Sequence, residues 1–444
     1  MAPDYAPPQA AVPQAYKEVP PGWTLAAPAD DASRGAWWSM FGDPVLDDLE
    51  TRMDKASPTL AAAVARLDAA LAAARESRAD LFPTVSASAD VIRARPSGRR
   101  PGVAATGEYT DTTLGAALGY ELDLWGRVRN SVRADRAEAQ ASAADLESAR
   151  LSLQAALAGA YFQLRGLDAQ AALLRRTVEA NGRALELTST RHDGGIASGL
   201  DVNRAQTVLS TARAQISDVA RQRAIAEHAI AALVGDVASG FTIAPVDGLA
   251  QAPALPPQSP SILLQRRPDV AAAERRLYAA NARIGVARAA FFPTVTLGLS
   301  GGWEASHGPL ISEPSSFWGL GPLAAVVDLF DGGRRAARVG ISRAQYDELA
   351  ANYRNTVLGA FREVEDALAA VTHLEIQSRD NDEAAAAAQR TLDLALTRYH
   401  DGASDYLEVV VAQTSALDAR RAAIATRAAR LQAAVDLVRA LGGG

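Results

Sequence analysis

Phe82-Pro83-Thr84-Val85-Ser86-Ala87-Ser88-Ala89-Asp90-Val91 decides how this chain is read. From Thr84 onward the odd positions are apolar and the even ones polar, the period of a strand with one dry and one wet face. The same opening recurs as Phe292-Pro293-Thr294-Val295, followed by Leu297, Leu299 and Trp303 against Thr294, Thr296 and Ser300. Working outward, the rest of the second half also answers the first. Asp123-Leu124-Trp125-Gly126-Arg127 is echoed by Asp328-Leu329-Phe330-Asp331-Gly332-Gly333-Arg334, and Arg191-His192 by Arg398-Tyr399. Gly195 answers Gly402, and Leu200-Asp201-Val202 answers Leu407-Glu408-Val409. A period of about 207 residues is far too long for a solenoid repeat, so one large supersecondary unit is used twice.

Each unit pairs strands with very long helices. Alternation in 113–123 puts Leu114, Leu118 and Leu122 on one face, so hairpins are expected at about 83–123 and 293–329. After each hairpin, apolar residues advance in alternate steps of four and three. Leu153, Leu157, Ala160, Leu164, Leu167, Ala171 and Leu174 do so in the first half after Leu146, and Tyr353, Val357, Ala360, Val364, Ala367 and Val371 in the second. That rhythm marks a coiled-coil seam. A helix over 127–190 would be roughly 95 Å long at 1.5 Å per residue. Glycine-containing turns at 193–200 and 401–406 then send the chain back, giving helical hairpins at about 127–235 and 334–441. The divisions are an extended Pro-rich segment at 1–42, a first repeat at 43–240, a Pro-rich connector at 241–268 and a second repeat at 269–444.

Composition excludes several classes. The chain of 444 residues has no cysteine, so it has no disulfide framework, thiolate nucleophile or cysteine metal site. A formal charge of −6 with interleaved signs is not a nucleic-acid footprint. No apolar run reaches the ~18–20 residues of a membrane-spanning helix. No signal peptide is visible, which fits a cytoplasmic protein or a mature exported one whose leader gave way to Met1. The histidines lack metal-ligand spacing, and no nucleophile–base set or phosphate loop is present, so neither an enzyme nor a cofactor is expected.

The strands have the length of transmembrane β-strands. Four of them cannot close a barrel with a lumen. Three chains would supply twelve, with Val85, Val91, Leu114, Leu118, Leu297, Leu299 and Trp303 toward lipid and Ser86, Asp90, Thr294, Thr296 and Ser300 toward water. The other reading of the alternation is a soluble β-sandwich flanked by coiled coil.

Several segments carry a resemblance. Trp37-Trp38-Ser39-Met40-Phe41-Gly42-Asp43-Pro44 opens the first helix, with Asp43 as its N-cap. The densest match is Leu264-Gln265-Arg266-Arg267-Pro268-Asp269-Val270, then Ala273-Glu274-Arg275-Arg276-Leu277 and Asn281-Ala282-Arg283-Ile284-Gly285. With the repeat, these resemble outer-membrane efflux factors of the TolC/OprM-like family, most closely its NodT-type lipoprotein subgroup, over essentially the whole chain. The resemblance implies a mixed membrane protein, mainly α. Its helical hairpins would form a periplasmic tunnel under a trimeric twelve-stranded barrel in the outer membrane. It implies an exit duct of a tripartite pump that works with a periplasmic adaptor and an inner-membrane RND-type transporter. It also implies a lipid on an N-terminal cysteine, where Met1 stands here.

A duct does no covalent chemistry; it works through radius, lining charge and gating. The tips carry Asp193 and Asp201 on one hairpin and Asp401, Asp405 and Glu408 on the other. Three copies would make acidic rings that repel one another, and Arg191, Arg398 and Tyr399 stand one turn away to bridge them. The other reading makes these acids helix caps, Asp201 and Asp405 included. By resemblance Leu407 matches a hydrophobic constriction, while Val411 replaces a pore-facing Asp. Gly195, Leu200, Val202, Gly402 and Val409 are candidates for the adaptor contact. Small-molecule efflux, type I protein secretion and, from a different class, a soluble coiled-coil scaffold or adaptor remain as functions.

Overall fold

The computed structural model describes residues 2–6, 17, 35–95, 97, 107–253 and 266–443. Most of the Pro-rich N-terminal segment, most of the loop at about 95–108 and the middle of the connector lie outside the described residues, as does position 1. The chain divides into two compact units. One gathers Arg66–Ala143 and Ala272–Arg354 with the start of the chain; the other gathers Ala144–Ala271 and Asn355–Gly444 with Ala10–Ala65. Each unit therefore draws on both repeats.

The first unit holds the sheet. Strands β1 (Thr84–Ala94), β2 (Tyr109–Leu122) and β3 (Thr294–Ala305) run antiparallel, and β4 (Phe317–Leu320) and β5 (Leu323–Val326) both pair with β3. A single uninterrupted fourth strand was expected. Pro322 interrupts it because it has no N–H for the ladder. The register does not slip across the gap: Ser300 faces Leu320 and Leu297 faces Leu323. Val85 pairs with Leu118 and Leu118 with Leu299, so one face is apolar across three strands. That face is uncovered in the single chain, with Val85 75% and Leu299 59% exposed. The opposite face carries Ser86, Asp90, Thr113, Thr296 and Ser300.

The sheet passes into helices through short capped joints. Helix α3 (Arg127–Asp193) starts under Asp123, whose carboxylate accepts from the N–H groups of Val128 and Arg129 at 3.1 and 2.9 Å. The repeat makes Asp328 the counterpart, but the later helix (Arg334–His400) is capped by Asp331, which accepts from Gly333 and Arg335 at 3.0 Å each. The second joint is two residues longer, so the acid that reaches the first helical turn is a later one. Trp125 stacks on Phe292 at 4.7 Å and donates to the Pro293 carbonyl at 2.9 Å, tying one repeat's joint to the other's strand entrance.

The second unit is helical. Helices α1 (Pro44–Ala56) and α2 (Pro58–Ala79) begin at prolines, and Asp43 caps α1 by accepting from Val45 and Leu46. Trp37–Phe41 is a 3-10 turn, not the extended chain expected through residue 42. Its apolar side chains give the reason: Trp37, Trp38 and Phe41 are buried, and Phe41 meets Phe162 at 4.7 Å. Helices α3 and α4 (Gly199–Val234) form one hairpin. After α5 (Pro268–Ala289) in the other unit, α6 (Arg334–His400) and α7 (Tyr406–Ala440) form the second. The seams predicted from spacing are buried at Leu157, Leu164 and Leu174 and at Tyr353, Val357 and Val364.

Two polar clusters pin the loops around this core. Asp168 accepts from Arg165 and Arg223, and those arginines hold the carbonyls of Ala244 and Ile243 at 2.8 and 2.6 Å. An extended segment thus keeps its backbone groups satisfied without a sheet. Arg267 grips Asp269, Glu363 and the Ala440 carbonyl, fixing the end of α7. Glu50 is fully buried with neither carboxylate oxygen hydrogen-bonded among the described residues. Burial, then the nearby Asp54, pushes its pKa up to about 9, so it sits in the core as the neutral acid.

Candidate functional site at the helical tips

The two tips are built alike. Helix α3 ends when Gly195 takes φ +75°, and α6 when Gly402 takes φ +74°. In both, the backbone N–H groups return to the last turn. Gly195 and Ile196 donate to His192 and Arg191 at 2.8 Å each; Gly402 and Ala403 donate to Tyr399 and Arg398 at 3.1 and 2.8 Å. This is the Schellman arrangement, in which a left-handed glycine lets the chain leave the helix while carbonyls stay satisfied.

The return helices start on acidic caps. Ser198 caps α4 in a reciprocal capping box with Asp201: its hydroxyl donates to the Asp201 carboxylate at 2.7 Å and accepts from the Asp201 N–H at 3.2 Å. Asp405 caps α7 by accepting from the Glu408 N–H at 3.2 Å. Asp201 and Asp405 are therefore engaged as caps, the alternative that the sequence left open. Asp193 and Asp401 are exposed, with Asp401 3.3 Å from His400 Nδ1.

The bridging residues divide their work. Arg191 leaves its own hairpin and donates to the carbonyls of Tyr399 and His400, at 2.7 Å each. Its guanidinium lies 4.6 Å from the centroid of the Tyr399 ring. Arg398 stays within its hairpin and pairs with Glu408 at 2.9 Å, on an exposed surface. Tyr399 is 6% exposed and meets Tyr406 at 5.3 Å, in a cluster with Ala205, Ala395, Val409 and Ala412. All four tip helices contribute, since Leu185 of α3 packs against that cluster.

Candidates for a partner contact separate here. Leu200 is exposed, Val202 half-buried, and Gly195 and Gly402 lie open at the turns. Val409 does not belong with them. It is 0% exposed because it faces the Tyr399 and Tyr406 rings. Leu407 and Val411 on the same helix point outward. Sequence reasoning missed Tyr406, whose burial, followed by the neighbouring Tyr399 and Asp201, pushes its hydroxyl up to about 12. It also missed Ile196, 78% exposed, an apolar residue that folding within the chain does not explain. Among the described residues no group of acidic or histidine side chains could hold a metal ion.

Known proteins share this architecture. The family described as "Outer membrane efflux protein" matches residues 52–236 and 259–443. The chain is 34% identical over 437 residues to the pyoverdine export outer membrane protein OpmQ of Pseudomonas aeruginosa, covering 96% of this chain and 91% of the relative. It is 34% identical to the toluene efflux pump outer membrane protein TtgC of Pseudomonas putida, covering 100% and 92%. The solved structure of the outer-membrane channel OprN superposes with a TM-score of 0.92 at 30% identity, covering 100% and 99%. These matches remove the soluble sandwich and scaffold readings. The chain belongs to the outer membrane efflux protein family and is an efflux duct of the outer membrane.

Proposed function

We propose that three copies of this chain form the passive exit duct of a tripartite pump for small toxic organic compounds, fed by an RND-type inner-membrane transporter through a periplasmic adaptor. The observation that carries the trimer is the sheet. Its apolar face is exposed, and both edges, β1 on one side and β4 with β5 on the other, are unpaired among the described residues. An open edge of that length invites another strand, and a closed barrel needs more strands than one chain has. The relatives named for toluene efflux and pyoverdine export support a small-molecule cargo.

The tips are the gate in this reading. Arg191 holds the first hairpin to the second, and the exposed acids line a mouth that favours cations. Gly195, Ile196, Leu200, Val202 and Gly402 are the adaptor contact, where small and apolar residues let another helical hairpin approach. A lipid anchor at the N-terminal end of the protein, which the resemblance implies, is part of this proposal. The arm that would carry it is held against α5: Asn281 donates to the Pro3 carbonyl at 2.8 Å, and Tyr5 packs edge-on against Tyr278 at 5.0 Å.

The mass of the detergent-solubilised protein, corrected for bound detergent, tests the assembly. A trimer that needs detergent is expected; a detergent-independent monomer overturns it. Replacing Asp405 and Glu408 together by Ala is expected to lower cation selectivity in planar bilayers, and unchanged selectivity removes them from the gate. Mass spectrometry of the natively expressed protein is expected to find a lipid on its N-terminal residue, and an unmodified N-terminus removes the anchor.

A further inference from the structure

The polar face of the sheet carries an indole, Trp318, among small and acidic neighbours. Phe317 and Trp318 are consecutive in β4 and so point to opposite faces. Phe317 joins the apolar face, meeting Trp303 edge-on at 5.9 Å. Trp318 falls in the row Ser88, Gly115, Gly302, Trp318, defined by the register of four strands. The next row away from the helices carries Asp90, Thr113 and Glu304. On the side nearer the helices, Ser300 is followed by Leu320.

The two glycines explain how the indole sits. Gly302 is its direct register partner and Gly115 lies one strand further. Trp318 Cζ2 lies 3.7 Å from where a Cβ on Gly115 would be. The ring therefore reaches over Gly115, where no side chain stands in its way, and Trp318 as a whole is half-buried. Its indole N–H is buried and has no acceptor among the described residues. An unmade hydrogen bond of this kind costs stability, so the indole is not held there by a polar contact of its N–H among the described residues.

We propose that Trp318 is a selectivity residue of the duct, a stacking platform on the lumenal wall for planar aromatic cargo. The proposal rests on the trimeric barrel of the preceding section, in which the polar face lines the lumen and three-fold symmetry sets three indoles at one level. Aromatic rings stack on an indole face with a preference beyond simple area burial. The acids one row away add attraction for cationic rings.

Equilibrium binding of the planar cation 9-aminoacridine to the full-length protein in lipid nanodiscs tests this, with empty nanodiscs subtracted. Trp318→Leu keeps apolar bulk and removes the π face; Trp318→Phe keeps a smaller one. The dissociation constant is expected to rise about fivefold in Trp318→Leu and stay within about twofold in Trp318→Phe. Tetraethylammonium, of equal charge and without a ring, is expected not to compete. Each variant is first checked for wild-type mass, so a misfolded barrel is not scored. Equal constants in wild type and Trp318→Leu, or no saturable binding to wild type, overturn the proposal. A wild-type protein that is not a trimer overturns the barrel reading instead, and is seen before any dye is added.

Discussion

The two helical tips use the same parts and wire them differently. Arg191 and Arg398 occupy equivalent places in the repeat, as do Asp201 and Glu408, and Ser198 and Asp405. In the second tip the arginine pairs with the acid of its own hairpin; in the first it crosses to the neighbouring hairpin. The caps account for the difference. The Ser198 hydroxyl has a proton to give and holds the Asp201 carboxylate at 2.7 Å. Asp405 is an acceptor only, so it takes the Glu408 N–H but repels the Glu408 carboxylate. Glu408 is also one methylene longer and reaches Arg398. With Asp201 engaged, Arg191 is left to find acceptors elsewhere, and it finds two backbone carbonyls at the end of α6. One tip is therefore self-contained, and the other supplies the tie between them.

The largest effect is expected where both tips share a core. Tyr399→Ala removes a buried ring that packs on Tyr406 and carries the Arg191 guanidinium, a loss of about 3–5 kcal/mol by analogy with other buried aromatics. Chemical denaturation should show it. Tyr399→Phe should cost less than about 0.5 kcal/mol, because the hydroxyl lies 3.5 Å from Thr188 Oγ1, at the limit of a hydrogen bond. A large loss in the phenylalanine variant would mean that the hydroxyl, not the ring, holds the tips.

Arg191→Ala comes next. It deletes two hydrogen bonds from a charged donor and a cation–π contact, roughly 2–3 kcal/mol of coupling between hairpins after allowing for solvent. In a planar bilayer the conductance should rise at least tenfold. Arg191→Lys should fall between, since a single ammonium cannot span two carbonyls with a planar fork. Conductance unchanged in Arg191→Ala would place the closing contact elsewhere. Asp405→Ala alone should cost about 1 kcal/mol through loss of a cap. Its signature is faster hydrogen exchange in the first turn of α7, with α4 untouched.

Much of this framework is legible in the sequence. The repeat set Gly195 opposite Gly402, and both adopt the same left-handed turn because only glycine enters it freely. The steps of four and three picked out Leu157, Leu164 and Val364, all fully buried. The legible part is local periodicity and turn chemistry. What escaped depends on neighbours distant in sequence. The alignment treats Val202 and Val409 alike, yet one is half-buried and the other lies under two tyrosines that have no counterparts in the first tip. It likewise treats Arg191 and Arg398 alike, and the cap chemistry that parts them becomes visible only once the carboxylates have positions. Trp318 escaped because the fourth strand's alternation was weak, and its face became known only from the register with Gly302.

The smallest expected effect is the sharpest test of the asymmetry. Arg398 and Glu408 form an ion pair at the second tip, and counting salt bridges would make it the gate's main lock. Exposure argues otherwise: the two side chains are 57% and 41% exposed, so water and salt screen most of their attraction. Such pairs contribute about 0.2–1 kcal/mol. Glu408→Gln should therefore change conductance by less than about fivefold, and that change should fade as ionic strength rises, because the Debye length shrinks to about 3 Å at 1 M salt. Arg191→Ala should keep its effect at high salt, since its contacts go to carbonyl dipoles at short range and to a buried ring. If Glu408→Gln instead opens the duct as far as Arg191→Ala does, the second tip is not self-contained. Its acid would then be reaching a group outside this chain, and the tie between tips would have to be sought between protomers, not between hairpins.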